Sequence, residues 1–430
     1  MAAASGRKVR GQWMVFTVMF CAYGLYVLCR KSVTFLIPTF SQGAVLSSAE
    51  LGMILSAQSM ASVGSKFFLS VLSDKVSARV LLSAGLVIVA STQLLFSASS
   101  TVSVFVAVWF CNGLAQSCGW PACSKLLQTW FRPDQLGTYW SILSASVNVF
   151  GVVIPLCLPT LLSLSGGWRQ FLFAIGVLSL CWAVLCLLFI TDAPMESHEK
   201  VDHPSKRTKS PKPAVSGKKK GASSSSVELL RTPFLWLLAL NYLVVYGAKT
   251  AGESWGQLLV LEKGMSEATT ARFLSGIEVG GLVSSLGAGY LSDWIVSKKG
   301  EGGRNPRLLL VECFAVCGAL LTHALLACSG EWLLPLLSCL WGTALYGMVN
   351  LCGVLAVECA PSHLTGTSHG LVSMAGTVGN VLSGLPLSVL SNSVGWSGVF
   401  RVLELLLLLS AISWFLSRRM NTRAEREKVD

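Results

Sequence analysis

Twelve stretches of this chain, each apolar for about twenty residues or more, decide the solvent it folds in. Six fall near residues 13–37, 51–73, 79–98, 102–126, 137–163 and 168–191. Six more fall near 233–261, 269–293, 307–328, 331–357, 366–392 and 396–416. About 20 apolar residues in a helix span the roughly 30 Å of a bilayer's hydrocarbon core. Lipid offers the backbone no hydrogen-bond partner, so such runs must be helical. Charged residues make up 13% of the 430, about half the share of a soluble domain. The expected fold class is an all-α membrane protein of twelve transmembrane helices, its main partner the lipid bilayer.

The polar segment between the two sets divides the chain. The expected domains are an N-terminal six-helix half (1–191), a flexible basic linker (192–232) and a C-terminal six-helix half with a tail (233–430). The linker core, Lys206 to Lys220, holds seven Lys/Arg and no acid. Of the 33 Lys/Arg, 25 fall in the termini, the linker and the loops on their side, and two, Arg169 and Lys263, on the opposite side. Basic loops stay in the cytosol, so both termini and the linker are expected there. The net charge of +12 then reflects topology and calls for no nucleic-acid partner. The 14 cysteines lie mostly in apolar runs without a C-x-x-C pair; free thiols are expected, with no metal and no cofactor. No Ser/His/Asp arrangement or phosphate-cradling loop lies on an aqueous segment, which argues against an enzyme. The first apolar run is too long for a cleavable signal peptide and carries Arg30 and Lys31 near its end.

The halves repeat one another. Leu72-Ser73-Asp74 ends the second stretch and Leu291-Ser292-Asp293 the eighth, an offset of 219. Gly137-Thr138 and Gly366-Thr367 differ by 229, and Gly167-Trp168 and Gly395-Trp396 by 228. A duplicated bundle of this kind binds its substrate near midplane, between the repeats.

Ionisable residues within the apolar stretches point to the chemistry, since each costs at least about 2.5–3.5 kcal/mol at the bilayer centre. Arg30 and Lys249 differ by 219, the same offset as the two aspartates. The duplication therefore sets one cation on each of two equivalent helices, a pair suited to a doubly charged anion, phosphate above all. The competing reading is that Arg30 and Lys31 reach for the interface while Lys249 pairs with Glu253 one turn on. Lys66 either guides anions along a cavity wall or extends to the surface, and Glu278 either neutralises a cavity cation or couples to a conformational change. His369, near an entrance, either bonds an anion or is an ordinary interface histidine. Trp120 and Trp140 either stack on a sugar ring or pack. Asp74 and Asp293, ahead of basic residues, are expected to latch helices in one state and release them in another. Arg401 is expected to pair with Glu404.

At Asn112-Gly113-Leu114-Ala115-Gln116, Gly119-Trp120-Pro121, Tyr242 through Thr250, Glu278-Val279-Gly280-Gly281 and Gly366-Thr367-Ser368-His369, the chain resembles the organophosphate:phosphate antiporters of the major facilitator superfamily. It is most similar to their eukaryotic endoplasmic-reticulum branch of glucose-6-phosphate exchangers, from which Ala122 departs. The resemblance implies the major facilitator fold of two pseudo-symmetric halves, with Arg30 and Lys249 as the phosphate-binding residues; Lys31, beside Arg30, is a further cavity candidate. It also implies exchange of glucose 6-phosphate for inorganic phosphate in the reticulum membrane, with functional coupling to a lumenal glucose-6-phosphatase. Exchange has a physical rationale as well: an empty cavity exposing Arg30 and Lys249 without counterions would resist closure.

Overall fold

Backbone groups that cannot reach water pair along their own segment. The computed structural model is accordingly helical throughout, with no strand among the described residues. These are 2–131, 133–192, 232–299, 306–360 and 365–418. At 2–10, 66–68, 70–75, 133–138, 141, 293, 296–299, 306 and 365–366 the description is of the backbone alone. The basic linker core therefore lies outside the described residues, as do the side chains of Lys66, Asp74 and Asp293.

The N-terminal half comprises α1 (Ala2–Phe35), α2 (Ile37–Gln42), α3 (Ser48–Lys75), α4 (Ala78–Ala98), α5 (Val102–Gln116), α6 (Gly119–Trp130), α7 (Pro133–Ser165) and α8 (Trp168–Phe189). The C-terminal half comprises α9 (Pro233–Glu262), α10 (Glu267–Lys299), α11 (Pro306–Ala327), α12 (Leu333–Glu358), α13 (Thr365–Ser383) and α14 (Leu385–Ser417). These helices make the twelve expected spans because three spans are broken. Proline lacks an N–H and its ring obstructs the preceding turn, so the first span breaks at Leu36, ahead of Pro38. The eleventh breaks at Gly384, ahead of Pro386. The fourth breaks between Gln116 and Gly119.

Inside α14 the chain turns from the eleventh span into the twelfth at Gly395, with φ 69° and ψ 175°, a conformation open essentially to glycine alone. The new helix start is held by Glu262, which accepts from the N–H of Trp396 at 2.7 Å and of Ser397 at 3.3 Å. Gly395→Ala is expected to cost about 1–3 kcal/mol, read as a lower midpoint of thermal unfolding in detergent. An unchanged midpoint would contradict this account of the turn.

A belt of large apolar side chains faces outward, including Leu188, Leu320, Leu409 and Leu416. Water would not tolerate so continuous a surface. Nine helical stretches among the described residues are long and apolar enough to cross a membrane. The helices that fall short, α3, α10 and α13, all pack against the opposite half. A helix lining a polar interior carries residues such as Gln58, Glu278 and Asn380 in place of leucines.

The face bearing the linker and the described ends of α1 and α14 is here the linker face; the other is the far face. The halves join toward the far face. Ser56 donates to the Val381 carbonyl at 2.9 Å and accepts from the Leu385 N–H at 2.8 Å. Gln257 donates to the Thr34 carbonyl at 2.8 Å, and Ser275 to the Val152 carbonyl at 2.9 Å. Toward the linker face a Cβ added at Gly287, Gly289 or Gly370 would meet nothing within 4 Å. The seam thus closes at the far face and parts toward the linker face.

Candidate functional site

The first span carries Cys29-Arg30-Lys31-Ser32 into the middle of the bundle, where amide side chains hold its register. Gln93 of α4 donates to the Cys29 carbonyl at 3.1 Å and to the Ser32 hydroxyl at 2.7 Å. Gln116 of α5 donates to the Tyr26 carbonyl at 2.9 Å. Behind them, Gln58 donates to Asn112 at 2.9 Å, and Asn112 to Thr92 at 2.8 Å. Where water is excluded, such networks rigidify a helix, and here they fix the height of Arg30 and Lys31.

Lys31 crosses the seam. Its ammonium donates to Glu278 of α10 and lies 3.5 Å from Glu253 of α9. Glu253 also pairs with Lys249, one turn earlier on its own helix, at 2.6 Å. The Tyr346 hydroxyl of α12 ties the two acids together, 2.8 Å from Glu253 and 3.2 Å from Glu278. Its ring also lies under Lys249, 4.6 Å from the ammonium, with the Tyr246 ring at 5.6 Å. All four ion-pair side chains are nearly buried, Glu278 at 1% exposure. Helix α7 comes close enough to complete the wall because Gly151 has no side chain; a Cβ there would sit 2.7 Å from the Glu278 carboxyl carbon.

These contacts correct one expectation. Lys249 has a counterion, Glu253, in the geometry of the competing reading, and Lys31 has two, so these two cations are not bare. Among the described residues Arg30 alone of the three has no carboxylate partner. Within the cluster two cations, Lys31 and Lys249, face two carboxylates, and Arg30, the neighbour of Lys31 on α1, adds a formal charge of +1 beside it. Arg30 is half-buried, and its guanidinium is the group that binds a tetrahedral oxyanion through two parallel N–H bonds.

Trp120 and Trp140 meet edge-on at 5.0 Å, and Trp120 lies 5.3 Å from Tyr23. Tyr23 stands seven residues before Arg30 on the same face of α1, about 10 Å nearer the linker face at 1.5 Å per residue. The two tryptophans thus form part of one aromatic wall. His369 is exposed, 3.3 Å from the Ser373 hydroxyl. It lies about 16 Å along α13 from Asn380, which accepts from Thr250, the neighbour of Lys249. No contact among the described residues brings His369 to the charged cluster. Nor does Arg401 pair with Glu404, whose carboxylate instead meets His323 of α11 at 3.1 Å; the helix-to-helix contact takes precedence over the turn. Tyr346 was missed by sequence reasoning, for an uncharged aromatic in an apolar run carries no signal of its own.

Two six-helix halves, a lipid-facing belt and a charged cluster in a seam open at one face define a membrane transporter, not an enzyme. Residues 19–384 match the family model of the Major Facilitator Superfamily. A probable hexose phosphate transport protein of Chlamydia pneumoniae is 30% identical, over 96% of this chain and 92% of its own. The membrane sensor protein UhpC of Salmonella typhimurium (strain LT2) is 28% identical, over 96% and 92%. Among solved structures, a bacterial homolog of the human lysosomal transporter Spinster, in an inward-facing and unoccupied conformation, superposes with a TM-score of 0.78 at 13% identity, over 97% of this chain and 99% of that one. The chain belongs to the major facilitator superfamily, in the family of these curated relatives.

Proposed function

We propose that the protein is an organophosphate transporter that exchanges glucose 6-phosphate for inorganic phosphate by alternating access. The observation that carries this reading is the half-buried Arg30 guanidinium, without a carboxylate partner among the described residues and adjacent in the chain to the ion-paired Lys31, in a chain similar to a probable hexose phosphate transport protein. Phosphate entering from the linker face meets Arg30 first as a bidentate partner. Lys249 joins by exchanging part of its contact with Glu253, which keeps Lys31 and Tyr346. Bound anion offsets the excess charge and draws α1 toward α9. Closing the linker face then breaks the seam contacts of Ser56, Gln257 and Ser275 at the far face. Empty, the site retains an uncompensated guanidinium that resists desolvation, so only the loaded carrier crosses. The revised charge count keeps the rationale for exchange but rests it on Arg30.

The test is uptake of radiolabelled glucose 6-phosphate into proteoliposomes with and without internal phosphate. Uptake that requires internal phosphate is expected, falling to background in Lys249→Ala. Wild-type rates in that variant would remove Lys249 from the site. Displacement of phosphate by glycerol 3-phosphate but not by the hexose ester would move the substrate and keep the mechanism. A second reading, a non-transporting sugar-phosphate sensor, is favoured by the likeness to a membrane sensor protein over nearly the whole chain. It is distinguished by binding without exchange. Cytosolic termini are supported by the distribution of Lys and Arg. Reticulum residence and coupling to a lumenal glucose-6-phosphatase are supported by residue resemblance alone, since both named relatives are bacterial.

A further inference from the structure

Lys31 and Tyr346 bridge the same two carboxylates through complementary oxygens. Lys31 lies 3.5 Å from Glu253 Oε2 and donates to Glu278 Oε1. The Tyr346 hydroxyl is 2.8 Å from Glu253 Oε1 and 3.2 Å from Glu278 Oε2. These contacts close a ring of side chains that is complete without Lys249. Among the described residues, the Lys249 ammonium joins that ring through one carboxylate oxygen, Glu253 Oε1 at 2.6 Å. It is the oxygen that Tyr346 also contacts. A hydroxyl has a single O–H to give. With Lys249 in place, two acceptors share that proton; with Lys249 withdrawn, it is free to settle on Glu253 Oε1.

The hydroxyl is held in place by its own ring. Tyr346 packs on the backbone of α10 at Gly281, where a Cβ would stand 2.9 Å from Tyr346 Cζ, the carbon that bears the hydroxyl. Gly281, three residues after Glu278, thus lets the ring lie flat enough on α10 to reach that carboxylate. A lysine that leaves a buried carboxylate for an incoming anion orphans the carboxylate unless another donor holds it. We infer that Tyr346 is a positioning residue for anion binding: its hydroxyl keeps Glu253 Oε1 while Lys249 turns to phosphate. Lys31 stays bound to both acids, and Lys249 becomes the cation released to the substrate. Tyr346 acts through Glu253 and touches no substrate. The inference deepens the phosphate reading of the site and rests on it.

The experiment measures phosphate:phosphate exchange in proteoliposomes of wild type, Tyr346→Phe, Glu253→Gln and the double variant. Phenylalanine keeps the ring against Gly281 and under Lys249 and removes only the hydroxyl. In Tyr346→Phe the KM for phosphate is expected to rise about tenfold or more, as for a lost hydrogen bond to a charged group. The rate at saturating phosphate should change far less, the signature of lost binding and not of lost turnover. In Glu253→Gln, Lys249 has no carboxylate to leave, so deleting the hydroxyl there should alter the KM by less than about twofold. The phosphate-induced rise of the thermal midpoint in detergent gives the same comparison for any variant too slow to assay. An unchanged KM in Tyr346→Phe, a loss confined to the saturated rate, or an equal rise in both backgrounds would overturn the assignment. A wild type that neither exchanges phosphate nor is stabilised by it would instead reject the phosphate reading beneath it.

Discussion

Lys31→Ala is expected to destabilise the protein by about 3–5 kcal/mol, the loss that follows when one member of a buried ion pair is removed and its partner stays. Glu278, whose side chain is 1% exposed, would keep, among the described residues, the Tyr346 hydroxyl at 3.2 Å. Glu253 would still have Lys249 at 2.6 Å, so the loss concentrates on Glu278. The thermal midpoint in detergent should therefore fall in Lys31→Ala and recover in the double variant Lys31→Met with Glu278→Leu, because replacing both ions by apolar groups of similar shape leaves no orphan charge. A single variant as stable as wild type would show that the Lys31–Glu278 contact is not a buried pair of this kind. Because the pair joins the two halves, its removal should also change the ease with which the seam opens, so transport in the double variant need not recover with stability.

The second large effect concerns Arg30. With no carboxylate partner among the described residues, it is free to give its paired N–H groups to phosphate, at about 1.5–3 kcal/mol for each charge-assisted bond. Arg30→Ala is thus expected to reduce exchange by about a hundredfold or more, with little change in the thermal midpoint, since no carboxylate is orphaned. Arg30→Lys should recover part of the rate, as a point charge replaces a fork. The contrast with Lys31 is the informative outcome: adjacent cations, one whose loss shows first in stability and one whose loss shows in transport. A large drop in stability for Arg30→Ala, or undiminished exchange, would remove Arg30 from the proposed role.

The parts legible in the sequence were those governed by local rules. Span length and apolar content follow from the thickness of the hydrocarbon core, so the twelve spans and the all-helical class could be read directly, with breaks at Pro38 and Pro386 the main refinement. The matched offset of Arg30 and Lys249 singled out two cations, and the structure brings Lys249 together with Lys31 and Glu278, two of the further candidates. Trp120 and Trp140, at neighbouring heights on different helices, proved to touch.

What the chain alone could not decide was which charges neutralise which. Lys31 and Glu278 are separated by 247 positions, and their meeting depends on how deeply two helices from different halves interpenetrate. That depth depends in turn on Gly151 being too small to keep α7 away from Glu278. The same holds for Tyr346, which joins two carboxylates from α9 and α10 through a single hydroxyl. Helix formation, orientation and candidate cations are set by short-range hydrogen bonding and by the cost of charge in lipid, and both are written in composition and spacing. The pairing within the site is set by distances of a few ångströms between distant segments, and only the packed tertiary structure determines those.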